Sequence, residues 1–228
     1  MFDNVKRMLA DISSEVHFTR DYIGKDALDQ RVMEVMARVP RDIFVPIDLK
    51  SLAYDNCPLP IGFNQTISQP YIVALMTDLL AIQPGQRVLE IGTGCGYQTS
   101  VLSRLCSQVY SVERISELLV IAQEHLAQLG YDNIQLKLGN GYHGWAEHAP
   151  YDGILVTAAA THIPEALTTQ LKPGGRMVIP IGLENMHQEL FLLQKDHRGA
   201  VTVDSILPVA FVPLVGDPVL HCPDDTIH

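Results

Sequence analysis

The sequence predicts an α/β protein: a doubly wound, mainly parallel sheet with antiparallel C-terminal edge strands and an N-terminal helical extension. Three observations carry that expectation. Short apolar runs alternate with helix-compatible stretches from residue 87 to residue 181, the pattern of a parallel sheet covered by helices. The first run ends in a turn holding Gly92, Gly94 and Gly96, the strand–turn–helix arrangement that brings backbone N–H groups up to a ligand. Past Gly182 come two further strand-like runs with no strong helix between them, so they should pair antiparallel at one edge.

Each element has its own warrant. Phe2, Val5, Met8, Leu9, Ile12 and Val16 recur at helical spacing. Leu28, Val32, Val35, Met36 and Val39 repeat the pattern, and Pro40 stops the second helix. Both stripes read as core-facing. Pro40, Pro46, Pro58, Pro60 and Pro70 then punctuate a stretch that suits neither a long helix nor a central strand. A long loop is expected there, ordered by Ile43, Phe44, Val45, Leu49, Leu52, Leu59 and Ile61, and ordered loops of this length are usually functional. Ser68 reads as the N-cap of the next helix, with Pro70 in its first turn and residues 72–80 as its body. Pro84-Gly85 turns the chain into the alternating unit. Strands are expected over 88–91, 108–112, 134–138, 153–157 and 177–181, and helices over 97–106, 116–129 and 164–171. Residues 139–150 are too irregular to assign. The late strand-like runs cover 189–194 and 201–212, and the tail from Asp217, rich in Pro, Asp and His, reads as loose. The expectation is one domain over 1–228: helices and an active-site loop over 1–80, a cofactor-binding α/β core over 81–216, and the tail over 217–228.

Composition narrows the class. The chain has 228 residues, with 16 Lys and Arg against 26 Asp and Glu, a net charge of −10. It has no basic run, which argues against a general nucleic-acid binder. Cys57, Cys95, Cys106 and Cys222 form no Cys-x-x-Cys pair, which argues against a zinc site, an iron–sulfur cluster and a disulfide framework. The histidines show no metal-ligand spacing; His143, His148 and His162 read as surface or pocket-rim residues, and Trp145 as a packing anchor. The charged N-terminus carries no secretory core, and no window has the apolar length of a membrane span. A cytoplasmic protein with no membrane partner is expected. The oligomeric state is left open, with a monomer favoured.

Chemistry should gather at the carboxyl ends of the strands. Gly96 follows Gly92 by four residues, where a dinucleotide fingerprint needs five. With Glu90 two residues before Gly92, the turn fits the Glu-x-Gly-x-Gly-x-Gly loop of S-adenosylmethionine enzymes better. Glu113 ends the second strand about twenty residues past Gly92, the spacing that grips ribose hydroxyls. In Gly139-Asn140-Gly141 the glycines let backbone approach a flat ring, while Asn140 offers an acceptor for an exocyclic amine. A type I′ or II′ turn explains the same tripeptide equally well. At the fourth strand end, Thr157-Ala158-Ala159 lacks the Asn- or Asp-Pro-Pro-aromatic clamp usual in enzymes that methylate an amine on a base.

Several segments together resemble the protein-L-isoaspartate O-methyltransferase family. They are Val39-Pro40-Arg41-Asp42-Ile43-Phe44-Val45-Pro46, Leu59-Pro60-Ile61-Gly62, Gln65-Thr66-Ile67-Ser68-Gln69-Pro70, and the run from Glu90 to Thr99. Val112-Glu113-Arg114, Thr157-Ala158-Ala159, Pro180-Ile181-Gly182 and Phe211-Val212-Pro213-Leu214 match as well, so the resemblance spans roughly residues 20 to 216. The Thr-Ile-Ser segment is particular to the family, whereas the glycine turn is common to many methyltransferases.

The resemblance implies methyl transfer from S-adenosylmethionine to the free α-carboxylate of L-isoaspartyl residues in damaged proteins and peptides, starting repair through a succinimide. Carried over by motif, Ser68 is the active-site hydroxyl, with Gln65, Thr66, Ile67 and Gln69 shaping the substrate wall. Glu90, Gly92, Thr93, Gly94, Gly96, Glu113, Asn140 and Gly141 are the implied cofactor contacts, and no metal is implied. Asn140 stands where the family usually has Asp. Gly62-Phe63-Asn64-Gln65 departs from the usual Gly-x-Gly-Gln, and Phe63 and Asn64 are expected to reshape the substrate rim. A carboxylate, ionised at neutral pH, needs no strong base, so Ser68 need only orient it. Two other classes stay open: an O-methyltransferase of the same build acting on another carboxylate, and a binding module that retains S-adenosylmethionine without turnover. The intact Ser68 segment and glycine turn favour an enzyme.

Overall fold

In the computed structural model, which describes residues 2–184 and 186–216, the alternating apolar runs become a sheet wrapped by helices. Helices α1 (Phe2–Ile23) and α2 (Gln30–Arg38) lead into two 3-10 turns, Arg41–Ile43 and Ile47–Leu52, and a hairpin of β1 (Leu59–Gly62) and β2 (Gln65–Ile67). After α3 (Pro70–Leu80) come β3 (Arg87–Ile91), α4 (Tyr97–Ser103), β4 (Gln108–Glu113), α5 (Ser116–Gln128) and β5 (Ile134–Leu138). Then follow β6 (Tyr151–Val156), α6 (Glu165–Gln170), β7 (Leu171–Gly182), β8 (Gln188–Lys195) and β9 (Val201–Val209).

The main sheet has the order β5-β4-β3-β6-β7-β8-β9. It is parallel from β5 to β7 and antiparallel where β8 pairs with β7 and β9. From β3 the chain winds one way through β4 and β5, then crosses back to lay β6 on the other side of β3. This reversal opens a crevice beyond the carboxyl ends of β3 and β6, where open α/β sheets bind ligands. Strand side chains alternate between two cores. Val88, Val109, Leu155, Val178 and Leu190 pack with α1, α3 and α4, whereas Leu89, Tyr110, Ile154, Val156 and Met177 pack with Trp145 and Leu167. Burial on both faces is why these strands read as unbroken apolar runs rather than as alternating ones.

The structure revises several expected elements. The proline-punctuated stretch 40–70 is not plain loop: the 3-10 turns and the hairpin occupy much of it. Pro60 is tolerated because its strand belongs to a two-stranded ribbon with a free edge. Phe63 and Asn64, at φ +53° and +57°, form the two-residue hairpin turn, the backbone of a type I′ turn.

Helix α3 starts at Pro70, and its N-cap residue is Gln69, without a side-chain cap. Ser68 is therefore not the cap that its residue type suggested. Pro70 brings no N–H, and the next amide, Tyr71 N, donates to Asn56 Oδ1 at 3.0 Å. Strand β7 begins at Leu171 rather than at residue 177 and shortens the preceding helix, because its early polar and glycine residues carry no apolar signal. Residues 139–150 contain two 3-10 turns, Gly141–His143 and Ala146–His148. The last strand stops at Val209, and residues 210–216 leave the sheet to cross the strand ends. The loose tail expected from Asp217 lies outside the described residues. No helix among the described residues is long and apolar enough to cross a membrane.

Candidate active site

Beyond β3, the N–H of Gly92 donates to Val112 O at 2.8 Å, and its φ of +94° favours glycine. Space demands glycine too: a Cβ here would lie 2.3 Å from Thr157 Oγ1. Gly141, just past β5, is equally confined, with its Cβ position 2.4 Å from Ile91 Cγ2. Gly92 and Gly141 both line a cleft beyond the strand ends, so bare backbone forms part of its wall. Ile91, Val112 and Leu118 give the cleft an apolar lining. Residues 212–215 strap across it, held where Ala159 N donates to Val212 O and Leu214 N to Ala159 O, both at 2.8 Å.

Glu113 ends β4 at the cleft wall. Its Oε2 accepts from Gly94 N at 2.8 Å, and its Oε1 accepts from Arg114 N at 2.8 Å and Ile115 N at 2.9 Å. A carboxylate offers about four acceptor positions, so one stays available to a hydroxyl in the cleft. The glycine cradle, the apolar lining and this acceptor together fit a nucleoside carrying a ribose.

Of the residues singled out from the sequence, Gly92, Thr93, Gly94, Glu113 and Gly141 line the cleft, as do Gln65, Thr66, Ile67 and Ser68. Glu90, Gly96 and Asn140 do not. Glu90 lies fully buried beneath the turn, where Oε2 accepts from Thr99 Oγ1 at 2.5 Å and Ser111 Oγ at 2.6 Å, and Oε1 has no partner among the described residues. Burial pushes its carboxyl up to about 8; the two hydroxyls pull it down and Glu113 pushes it further up. Glu90 is thus a prop that clips α4 to the sheet. Gly96, at φ +92°, starts α4 and packs against Leu126. Asn140 caps the turn that follows it: Oδ1 accepts from Tyr142 N at 3.1 Å, and Nδ2 donates to Gly216 O at 2.9 Å. That side chain ties down the strap and does not line the cleft. The type I′ or II′ alternative also falls, since Asn140 has φ −81° and Gly141 has no positive φ. Phe63 and Asn64 sit at the hairpin apex and line neither the cleft nor the groove beside it, contrary to the expected rim.

That groove, of about 1190 Å³, opens beside the cleft between α1, α3 and the chain from Leu207 to Val212. Thr66, Ser68, Thr157 and Val212 line both spaces, so they form the wall through which the two communicate; Gln69 lines the groove alone. The Ser68 hydroxyl makes no hydrogen bond among the described residues, while the Ser68 carbonyl accepts from Arg41 Nη2 at 2.8 Å. Arg41 is fully buried. Its Nε donates to Ala53 O at 2.8 Å, its guanidinium lies 4.9 Å from the Tyr97 ring centroid, and its Nη1 has no hydrogen-bond partner among the described residues. Burial lowers its affinity for the proton, and Tyr97 and Cys95 act the other way.

Sequence reasoning passed over Arg41 and Thr157 as individual residues, although both stand inside quoted motifs. A lone arginine amid Val39, Pro40, Ile43 and Phe44 was the available signal. Thr157 Oγ1 sits 2.7 Å from Gly92 O and 3.0 Å from Ile91 O, buttressing the glycine turn from the β6 side. Trp145 is the packing anchor expected, edge-on to Tyr110, and His148 stacks on Tyr110 with centroids 4.2 Å apart.

Known proteins resemble this chain in sequence and fold. The family model for protein-L-isoaspartate(D-aspartate) O-methyltransferase matches residues 19–218. A Polaromonas protein named protein-L-isoaspartate O-methyltransferase 2 is 59% identical over 209 residues, covering 92% of this chain and 99% of the relative. A Syntrophobacter fumaroxidans protein of the same name is 56% identical over 210 residues, covering 92% and 85%. Among solved structures, a protein-L-isoaspartate O-methyltransferase superposes with a TM-score of 0.79 at 29% identity, covering 93% of this chain and 66% of the other. A Plasmodium falciparum structure, described as a putative enzyme of the same kind in complex with S-adenosyl-L-homocysteine, gives 0.73 at 26% identity, covering 90% and 96%.

Proposed function

The chain belongs to the protein-L-isoaspartate(D-aspartate) O-methyltransferase family, and from that premise we propose how its cleft and groove divide the reaction between them. It is an S-adenosylmethionine-dependent enzyme that methylates isoaspartyl residues of proteins. When bound, S-adenosylmethionine supplies a methyl group on a positively charged sulfur. Gly92 and Gly141 let the cofactor lie against bare backbone, and the spare acceptor of Glu113 takes a ribose hydroxyl. The strap at residues 212–215 and the apolar lining keep water out.

The groove takes the damaged peptide. Ser68 carries this reading, because it lies on the wall common to both spaces with a hydroxyl that the fold leaves uncommitted. It donates to one oxygen of the substrate α-carboxylate and aims the other at the methyl group, while Thr66 and Thr157 complete the wall. Arg41 positions Ser68 by holding its carbonyl. Attack removes a negative and a positive charge together, so a dry, aligned site favours it over bulk water. No base is needed, since the carboxylate is already ionised. The methyl ester expels its alkoxide far more readily than a carboxylate expels oxide, so the following backbone nitrogen can attack the ester carbonyl and close a succinimide, the C–O bond breaking and methanol leaving with the nitrogen's proton. The net charge of −10 argues against nucleic acid as a partner.

The test is transfer of labelled methyl from S-adenosylmethionine to an isoaspartyl peptide beside its normal aspartyl twin. Labelling of the isoaspartyl peptide alone is expected. Equal labelling of both would leave an O-methyltransferase of some other carboxylate.

A further inference from the structure

We propose that Glu15, on α1, makes the substrate groove read the charge of residues flanking the damaged one, favouring basic neighbours over acidic ones. The proposal rests on the reading of that groove as the peptide's path, and it adds a specificity residue to it. Glu15 and Thr19 line the groove on its α1 side, facing Tyr71 and Ile72 of α3 and the chain from Leu207 to Phe211. The other lining residues are Thr, Ser, Pro, Gln, Tyr, Ile, Leu, Val, Ala and Phe, so among the described residues Glu15 brings the only full charge. Its carboxylate makes no hydrogen bond or ion pair among the described residues, while its backbone carbonyl accepts from Thr19 Oγ1 at 2.7 Å. Thr19 Oγ1 in turn lies 2.5 Å from Tyr71 Oη, which fixes this turn of α1 against α3. Burial raises the Tyr71 phenol, the Thr19 hydrogen bond lowers it, and the nearby Glu15 charge adds to the rise.

A substrate entering here already carries one negative charge at the reacting α-carboxylate. A second acid beside it meets Glu15 with like charge, and a lysine or arginine meets it with opposite charge. The family match begins at residue 19, past Glu15.

The experiment compares kcat/KM for isoaspartyl peptides alike except for Lys, Ala or Glu on either side of the isoaspartyl residue, using the full-length wild type, Glu15→Gln and Glu15→Lys. Each enzyme's Lys-to-Glu ratio is internal to it, so a variant of lower overall activity still reports. Wild type should prefer the Lys peptide over the Glu peptide by about 2- to 20-fold at low salt, one attraction and one repulsion each on the scale of an exposed or half-exposed charge pair, and less at high salt. Glu15→Gln should bring the ratio close to even, and Glu15→Lys should invert it. An unchanged ratio in both variants, with the isoaspartyl peptides still methylated, overturns this proposal alone. A wild type inert on every isoaspartyl peptide overturns the reading of the groove and this proposal with it.

Discussion

Ser68→Ala is expected to lower methyl transfer about 10- to 100-fold, the equivalent of one hydrogen bond to a charged group at about 1.5–3 kcal/mol. Cofactor affinity and stability should hardly change, because Asn56 and not Ser68 caps α3. Calorimetry and denaturation alongside the kinetics would check all three; a loss of stability of about 1 kcal/mol, the size of an N-cap, would restore Ser68 as a cap. Glu90 leads to a pH effect. Burial pushes its folded carboxyl up to about 8, from the ordinary 4.5 of an exposed Glu. Between those values the folded chain holds the extra proton, so stability is whole at the acid end and falls as pH rises towards 8. Glu90→Gln removes the titration and should flatten that fall. Denaturation midpoints followed from about pH 5 to about pH 8.5 would decide it, and identical pH profiles for both proteins would mean that Glu90 is ionised in the fold.

Helix α3 ends at Ala81, whose φ of +51° is left-handed backbone that a Cβ disfavours. Ala81 is exposed, and its N–H bonds Asp78 O at 3.0 Å. Ala81→Gly should therefore stabilise the protein by roughly 0.5–1 kcal/mol, read as a rise in midpoint with unchanged slope in urea. The β1–β2 hairpin has the same kind of strain. Phe63 at φ +53° is the costlier of its two turn residues, whereas Asn64 at +57° is a residue type that tolerates this region. The departure from Gly at position 64 is thus a matter of turn conformation and leaves the cleft lining untouched.

At the scale of the molecule, the groove depends on how the N-terminal helices sit against the sheet. Asp78 of α3, with its side chain 1% exposed, holds that arrangement: it pairs with Lys25, and its Oδ1 accepts from Asp29 N at 2.6 Å. Both partners lie in the link between α1 and α2. Asp78→Asn keeps much of the shape but loses the charge, and should cost about 1.5–3 kcal/mol. Because α1 walls the groove and not the cleft, the variant should raise KM for peptide more than it weakens cofactor binding. Equal effects on both would show that the two spaces move as one body.

The alternation of strands and helices, the glycine turn and Glu113 at the end of β4 were all legible in the chain. Each depends on periodicity or on spacing within a short segment, and a local backbone conformation answers to its local sequence. Ser68, Glu90, Asn140 and Arg41 depended on what arrives from elsewhere. The amide that Ser68 would have capped is claimed by Asn56, fifteen residues earlier. Glu90 is buried beneath α4 and bonded to Thr99, and Asn140 is tied to a carbonyl at Gly216. Arg41, an unremarked cation in an apolar run, becomes the clamp on Ser68 only once the chain has doubled back over it. A buried donor or acceptor takes whichever partner lies within about 3 Å. Residue type states only what a group is able to bond; the tertiary structure decides which partner reaches it first.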